Sequence, residues 1–377
     1  MAWLFWSSVA FLAYTFVGYP AMLWALSKVR NRIHQRGAIR PRVSLLITAY
    51  NEGERLRDKL ANTLELEYPK DKLEVIVTSD GSEDDTVPVI ESFADRGVRL
   101  LRLAQRHGKN HAQMLARDLS TGEILVFTDV SVQLARDALQ NIVANFADSS
   151  VACVSSEDRV ASDLYNRGGE GAYVGFEMWL RRLESRIGSV VTASGSFFAA
   201  RRELCARWHS DQTSDFFLPL HAVEQGERAV VDPLSLGYYA VARRSGVEFQ
   251  RKVRTIVNGL HVFFTHARLL NPLRYPLTAW QLVSHKLCRW LVPFGMAGML
   301  ISSLLLYDAG WLYRACAVLQ VALYGAGSLA LLWERLLKIG VFKLASFFML
   351  GNAATLAAWF KFCVGERFVV WQPTQRV

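Results

Sequence analysis

Leu125-Val126-Phe127-Thr128-Asp129-Val130-Ser131 reads as a buried apolar strand that ends on a carboxylate. An earlier run, Val43-Ser44-Leu45-Leu46-Ile47-Thr48-Ala49, has the same character and leads into Tyr50-Asn51-Glu52. Open α/β sheets bind ligands outside the carboxyl ends of their parallel strands, and Asp129 stands at such an end. A carboxylate there is a hard oxygen donor of the kind Mg2+ or Mn2+ uses when it bridges to phosphates. Further strands are expected over Leu73–Ser79 and Val98–Leu103, with the opening run spanning Glu123–Thr128. Between them, Glu52–Leu66 places Leu56, Leu60 and Leu64 on one helical face. Asp84–Arg96 buries Val89, Ile90 and Phe93, and Gly108–Leu119 spaces Ala112, Leu115 and Leu119 as a helix does. Apolar strands alternating with amphipathic helices predict a parallel sheet covered on both faces, joined by right-handed crossovers.

Charge is unevenly spread over the 377 residues. Met1–Ser27 carries no charged side chain, nor do Leu291–Tyr307, Ala315–Trp333 and Leu344–Phe360. A spanning helix needs roughly 20 apolar residues, so these runs read as membrane segments around an inserted α/β domain. The expected organisation is a transmembrane helix over 1–27, a basic juxtamembrane linker over 28–40 and the α/β domain over 41–265. An interfacial helix region follows over 266–290, then membrane helices over 291–363 and a tail over 364–377. Two of the last three apolar runs are expected to span. Leu344–Phe360, interrupted by Gly351-Asn352, is expected either to span or to be interfacial or re-entrant, which would keep the basic tail on the domain's side. The first run has no preceding Lys or Arg and no small-residue cleavage site, as a retained anchor would. Lys28, Arg30 and Arg32 just after it direct its carboxyl end, and the domain, to the cytosol.

The formal charge of +9 does not form a basic stripe with a recognition helix, so nucleic acid is not an expected partner. Basic residues around 28–40, 181–186, 243–254 and 335–343 suit a surface resting on anionic lipid. The five cysteines, Cys153, Cys205, Cys288, Cys316 and Cys363, lack a CxxC spacing and read as reduced thiols. His107 and His111 lie four apart, with no further ligands marked for zinc. The first strand is followed by neither GxGxxG nor a Walker loop. What the strand ends offer is polar: Tyr50-Asn51-Glu52, Ser79-Asp80-Gly81-Ser82, Gly108-Lys109-Asn110 and Asp129-Val130-Ser131. Any one of these could be a plain turn or cap; four on one rim is a site.

In this order and spacing, TAYNEGERL (48–56), VTSDGSEDDT (77–86), RHGKNHAQMLARDLSTGEILVFTDVS (106–131) and ASGSFFAARREL (193–204) resemble the GT-A domain of membrane-bound family 2 glycosyltransferases. The likeness extends to the cellulose, hyaluronan and poly-N-acetylglucosamine synthases. It implies that Tyr50 and Glu52 border a uracil-type base, that Asp80 meets base or ribose, and that Lys109 meets the nucleotide. Asp129 would contact the metal, Mg2+ or Mn2+. Two departures stand out: Ser131 replaces the second acid of the DxD motif, and Ser79 replaces the acid that usually precedes Asp80.

Toward the acceptor, Ser194 and Gly195 form a small-residue turn that lets a substrate approach the backbone. Asp215 precedes the apolar Phe216-Phe217-Leu218 run. Burial there raises a carboxylic acid's pKa and suits it to take a proton from a hydroxyl; an N-cap role for the helix expected over Phe216–Gly226 is the alternative. The segment resembles the family's Glu-Asp-x-x-Leu stretch, which implies a general base at Asp215 with Ser214 in place of the Glu. Arg251 and Arg254 fall where the family has Gln-x-x-Arg-Trp, with Arg251 for the Gln and Thr255 for the Trp. Arginine forks suit a diphosphate that gains charge as it leaves.

Together the resemblance implies an inverting transferase of the cytoplasmic (inner) membrane, multi-pass. It would take a nucleotide-sugar donor, most simply a UDP-sugar, and a lipid-linked or glycan acceptor, with membrane lipids around it, in polysaccharide assembly. A processive polysaccharide synthase and a polyprenyl-phosphate sugar synthase share this chemistry. A catalytically inactive scaffold or a lipid transporter is the reading from another class.

Overall fold

The computed structural model of the protein describes residues 1–160, 169–239 and 245–368. The chain opens with α1 (Ala2–Val29), an apolar helix carrying a π-helical turn at Tyr14–Gly18. There follow β1 (Val43–Ala49), α2 (Gly53–Leu64), β2 (Leu73–Asp80), α3 (Thr86–Glu91) and β3 (Val98–Leu103). Then come α4 (Lys109–Leu119), β4 (Ile124–Asp129), the short β5 (Val132–Leu134), α5 (Ala138–Ala144) and β6 (Val151–Val160). The domain closes with α6 (Gly169–Ile187), β7 (Phe197–Arg201), α7 (Ser214–Glu224), β8 (Arg228–Tyr239) and α8 (Ser245–Thr265). Three further helices end the described chain: α9 (Pro276–Leu305), α10 (Trp311–Leu332) and α11 (Gly340–Cys363). With α1 they are, among the described residues, the four helices long and apolar enough to cross a membrane.

The sheet order is β3-β2-β1-β4-β7-β6-β8-β5. The first four strands are parallel, as the alternation of apolar runs and amphipathic helices predicts. Beyond β4 the sheet becomes mixed. β7 runs antiparallel to β4, with Thr128 opposite Phe197, so β7 begins where β4 ends. The loop that precedes β7 is thereby delivered to the rim that carries Asp129. α3 is shorter than the periodicity predicts: it stops at Glu91 and a 3-10 turn at Ala94–Arg96 leads into Gly97, whose φ of +87° turns the chain into β3.

Alternate residues of a strand face opposite sides, and the two faces build two cores. Leu45, Ile47, Val75, Val77 and Val126 pack with Leu56 and Leu60 of α2 and Ile142 of α5. Leu46, Ile76, Leu125 and Phe127 pack on the other face with Ala116, Phe198 and Trp208. The Phe127 and Phe198 rings stack at 4.7 Å across the β4–β7 pair. One cation is buried in the first core. Lys59 of α2 donates through Nζ to Thr128 Oγ1 (3.0 Å) and to the Val132 carbonyl (2.6 Å), and burial pushes its pKa down to about 7.

The basic linker after α1 docks on the domain rather than standing free. Arg32 N–H donates to the Arg186 carbonyl (2.7 Å), Arg228 donates to the Arg32 carbonyl (2.9 Å), and Arg36 pairs with Asp232 (3.3 Å). A buried polar cluster joins α1, α6 and α9. Tyr19 O–H donates to Glu184 (2.6 Å), while His285 meets Glu184 through Nδ1 (2.6 Å) and Glu177 through Nε2 (3.1 Å). Arg289 pairs with Glu177. α11 lies along α8: Ala354 and Ala358 pack on Val253 and Val257, and Asn258 donates to the Phe368 carbonyl (3.2 Å). All five cysteines are free.

At the end of α7, Glu224 is almost wholly enclosed and gathers three partners: His266 (2.8 Å), His221 (3.3 Å) and Arg268 (2.5 Å). Burial alone would raise its pKa; the bonds from Arg268, His221 and His266 outweigh it and hold the carboxyl far below the ordinary value. A depressed carboxylate stabilises the fold above its unfolded pKa of about 4.3 and loses that contribution as pH falls through the folded one. Glu224→Gln should therefore cost about 1.5–3 kcal/mol at neutral pH. Thermal melts of the detergent-solubilised protein from pH 7 to 3 should show the variant less stable at pH 7 and less sensitive to acid. Equal melting profiles would mean that the cluster contributes nothing.

Candidate active site

The first two strand-end loops hold each other. Asn51, with a φ of +50°, accepts from the Glu83 N–H through Oδ1 (2.9 Å). Glu52 N–H donates to Thr86 Oγ1 (3.0 Å), and Gly53 N–H donates to Asp84 (3.1 Å). The third loop hangs on Asp80. Its carboxylate, wholly buried, accepts from the backbone N–H groups of His107 and Gly108, both at 2.8 Å. Gly108, at φ +97°, makes the turn that starts α4 with Lys109. Lys109 Nζ then donates to Asp129 Oδ1 (2.5 Å) and to the Gly195 carbonyl (3.2 Å), joining the third loop to the fourth and to the loop before β7.

That last loop connects Asp129 to Asp215. Asp129 N–H donates to the Ser196 carbonyl (2.9 Å), and Ala193 N–H donates to the Asp215 carbonyl (2.8 Å). Ser194 is buried; its hydroxyl donates to Asp158 (2.6 Å). A Cβ on Gly195 would lie 2.8 Å from Asp215 Oδ2, so glycine is what allows the carboxylate to rest against this backbone. Asp215 is not the cap of its helix: Thr213 precedes α7 and Asp215 is its second residue. Burial pushes its carboxyl pKa up, against the downward pull of Lys109 and Arg181. This is the tuning a general base needs.

These groups open on one cavity of about 760 Å³. Glu52, Lys109, Asp129, Gly195, Asp215, Arg251 and Arg254 line it. Phe16, Trp290, Val292, Phe347 and Phe348, from the apolar helices, add an apolar wall. Arg251 is engaged with Glu248 (2.6 Å). Burial, with Arg251 and Arg106 nearby, brings Arg254 down to about 10, which leaves it charged at neutral pH.

Of the residues singled out in the sequence, Tyr50, Asp80 and Ser194 do not line this cavity. Tyr50 lies under the Arg106 guanidinium, 3.7 Å from its ring centre. Asp80 and Ser194 hold the loops that present Lys109 and Gly195. Glu177, Arg181, Lys286 and Arg289 line the cavity and were not read as site residues. The 181–186 cluster, read as lipid-facing, is divided: Arg181 faces the cavity, Arg182 pairs with Glu157 (3.0 Å) and Arg186 is exposed. Tyr173, Glu177 and Arg181, each four residues apart on α6, were the available signal of a shared face.

Among the described residues no three His, Cys, Asp or Glu side chains gather as a metal site. The donor set nevertheless fits a hard divalent ion shared with a diphosphate. Mg2+ in such sites is held by one or two carboxylates, with phosphate oxygens and water completing the shell. Asp129 is partly exposed on the cavity wall, and Ser131 lies beside it.

Residues 44–208 match the family described as glycosyl transferase family 2. The chain carries a family 2 glycosyltransferase domain. The structure is similar to that of the mannosyltransferase PcManGT from Pyrobaculum calidifontis, solved in complex with GDP-Man and Mn2+. The TM-score is 0.74 at 26% identity, over 96% of this chain and 100% of that one. The mixed α/β sheet is therefore of the GT-A type. Two curated relatives are the beta-monoglucosyldiacylglycerol synthase of Trichormus variabilis and the poly-beta-1,6-N-acetyl-D-glucosamine synthase of Staphylococcus aureus strain COL. The first is 27% identical over 56% of this chain and 47% of its own length. The second is 24% identical over 58% and 55%. The chain thus spans about half the length of these relatives.

If Asp129 holds the ion, Asp129→Ala should lose the metal-dependent part of nucleoside diphosphate binding while the domain stays folded. Calorimetry of UDP and GDP with and without Mn2+ reads this directly. A variant that retains the full metal enhancement removes Asp129 from the site.

Proposed function

We propose that this protein is a membrane-bound inverting glycosyltransferase that moves a sugar from a nucleoside diphosphate sugar to an acceptor held at the membrane. One observation carries the reading. A single cavity runs from the Asp129–Lys109 rim, past Asp215, to an apolar wall supplied by helices long enough to cross a membrane. A water-soluble donor and a lipid-anchored acceptor would enter such a cavity from its two ends.

In this reading Asp129 is the residue that would hold Mg2+ or Mn2+ together with the donor diphosphate, and the ion when bound neutralises its charge. Lys109 and Arg254 add positive charge where the leaving group becomes more anionic. The acceptor oxygen attacks the sugar's anomeric carbon from the face opposite the diphosphate. The bond from that carbon to the diphosphate oxygen breaks and its electron pair leaves with the nucleotide. The acceptor's proton passes to the Asp215 carboxylate, whose raised pKa favours holding it. The motif resemblance implies a uracil base and the Pyrobaculum complex holds a guanine one; a donor panel decides between them.

The arrangement also supports a topology. α11 follows α8 of the domain along its length, and Phe368 beyond it touches the same helix. We place α11 in the membrane interface, with α1, α9 and α10 crossing. The tail then returns to the cytosolic side, where Lys28, Arg30 and Arg32 set the domain. The last nine residues, with Trp371-Gln372-Pro373, lie outside the described residues.

Asp215→Asn should abolish nearly all transfer, a loss on the order of 10²–10⁴-fold for a general base, with nucleotide affinity unchanged. The assay is nucleotide release over a panel of UDP- and GDP-sugars in native membranes. No release from the wild-type protein with any donor overturns the proposal, and loss of nucleotide binding in the variant moves Asp215 to the donor pocket.

The enzyme should add single sugars or very short runs. Thr255 lines the cavity where processive relatives in the resemblance carry Trp, and Thr offers no indole face for a sugar ring to stack on. Product length by mass spectrometry, with acceptor in large excess over enzyme, measures it. Long polymer beside unextended acceptor would favour the processive synthase.

A further inference from the structure

The cavity wall carries more cations than carboxylates, and pairing leaves the excess in one place. Lys109 is held by Asp129 (2.5 Å), Arg289 by Glu177, and Arg251 and Lys252 by Glu248 (2.6 and 3.3 Å). Arg254 faces the donor. Two cations remain beside Asp215: Arg181 of α6 and Lys286 of α9. Arg181 Nε and Nη1 are sealed from solvent without a hydrogen-bond partner. Lys286 makes no hydrogen bond or ion pair among the described residues; its Nζ lies 5.6 Å from the centre of the Phe216 ring. Unmet charged donors in an enclosed place cost several times what paired ones do. A fold keeps such groups where a ligand completes them.

The local backbone aims one of them. Lys286 sits in a π-helical turn, Leu282–Leu287, within α9. π-turns inside α-helices are frequent at functional sites. The π-turn of α1 lies against it: the Tyr14 and Ser284 hydroxyls are 2.6 Å apart, and Trp280 Nε1 donates to Tyr14 Oη (2.9 Å). Phe16, from that same turn of α1, reaches the cavity, and Val292 and Phe347 continue the apolar wall beyond it.

We infer that Arg181 and Lys286 form an anion subsite for the phosphate of a phosphorylated lipid acceptor, with the lipid chain running out along Phe16, Val292 and Phe347. The inference rests on the transferase reading above and narrows its acceptor from lipids in general to phosphorylated ones. A diglyceride headgroup is neutral and would leave both cations unmet. Asp215 carries one charge against two, and it must remain available for a proton. A phosphate offers several acceptor oxygens to a guanidinium fork and an ammonium together. The phosphate either attacks the sugar itself or links the lipid to an accepting sugar; both present the same anion here.

Binding separates these cases using the full-length protein in neutral detergent. The probes are hexadecyl phosphate, a lipid diphosphate-linked monosaccharide and dioleoylglycerol, titrated calorimetrically. Both phosphorylated probes should bind and dioleoylglycerol should not. Arg181→Gln with Lys286→Met should weaken the phosphorylated probes by about tenfold or more, with nucleoside diphosphate affinity unchanged, and Lys286→Arg should retain most of the binding. Tighter hexadecyl phosphate marks the phosphate as the attacking group, and a tighter diphosphate-linked sugar marks it as the linker; either supports the subsite. Should the double variant fail to fold, Lys286→Gln alone serves the same comparison. The inference is overturned if dioleoylglycerol binds as well as the phosphorylated probes. It is equally overturned if the folded variants bind lipid phosphate normally or lose nucleotide instead. The transferase reading fails separately, when no donor releases nucleotide in the presence of whichever lipid binds.

Discussion

The antiparallel seam between β4 and β7 is the constraint on which the site depends. Parallel strands alone would bring four loops to the rim, and none of them carries Asp215. Because β7 starts where β4 ends, Asp129 N–H can donate to the Ser196 carbonyl, and the same loop accepts from Lys109 at Gly195 and donates to the Asp215 carbonyl at Ala193. Two carboxylates far apart in sequence are thus placed by one short segment. The stacked rings of Phe127 and Phe198 and the buried Lys59 fix that seam from opposite faces of the sheet. Small movements here would be felt at both ends of the cavity, since packed cores deform little.

Burial divides the polar groups of the domain into two kinds. Asp80, Asp84, Ser194 and Thr86 spend their hydrogen bonds on backbone N–H groups, on each other or, for Ser194, on Asp158, and they set the shape of the loops. Lys109, Asp129, Asp215 and Arg254 have capacity facing the cavity. The first kind shows why a motif residue can be indispensable without touching a ligand. Asp80 satisfies two donors of the turn from which Lys109 starts.

The cluster of Tyr19, Glu177, Glu184, His285 and Arg289 couples the domain to the apolar helices. It is shared by α1, α6 and α9, elements from three distant parts of the chain. A buried network of this kind fixes one geometry strongly, because leaving any member unpaired is costly. It keeps α6 and α9 in the positions that bring Arg181 and Lys286 into one wall.

The periodicity of the sequence determined the parallel half of the sheet almost to the residue. Val43–Ala49 begins and ends where its apolar run does, since a strand buried on both faces must be largely apolar; Val98–Leu103, at the edge of the sheet, keeps its expected bounds although Arg99 and Arg102 are exposed. The sequence singled out Asp129 and Lys109 as polar groups at strand ends, and Gly195, Asp215 and Arg254 through a small-residue turn and the motif resemblance; the structure brings all five to one cavity. The sequence could not decide that Asp80 and Ser194 face inward to the backbone, since a turn and a ligand contact use the same residue types. Nor could it decide that the basic segment 181–186 splits between the cavity, an ion pair with Glu157 and the exposed Arg186. A helix with charges around it has no inside until its neighbours arrive. Only the tertiary structure sets α6, α7 and α9 against one another and leaves Arg181 and Lys286 without ion-pair partners among the described residues, because whether a charge is met depends on groups that the chain brings near from more than a hundred residues away.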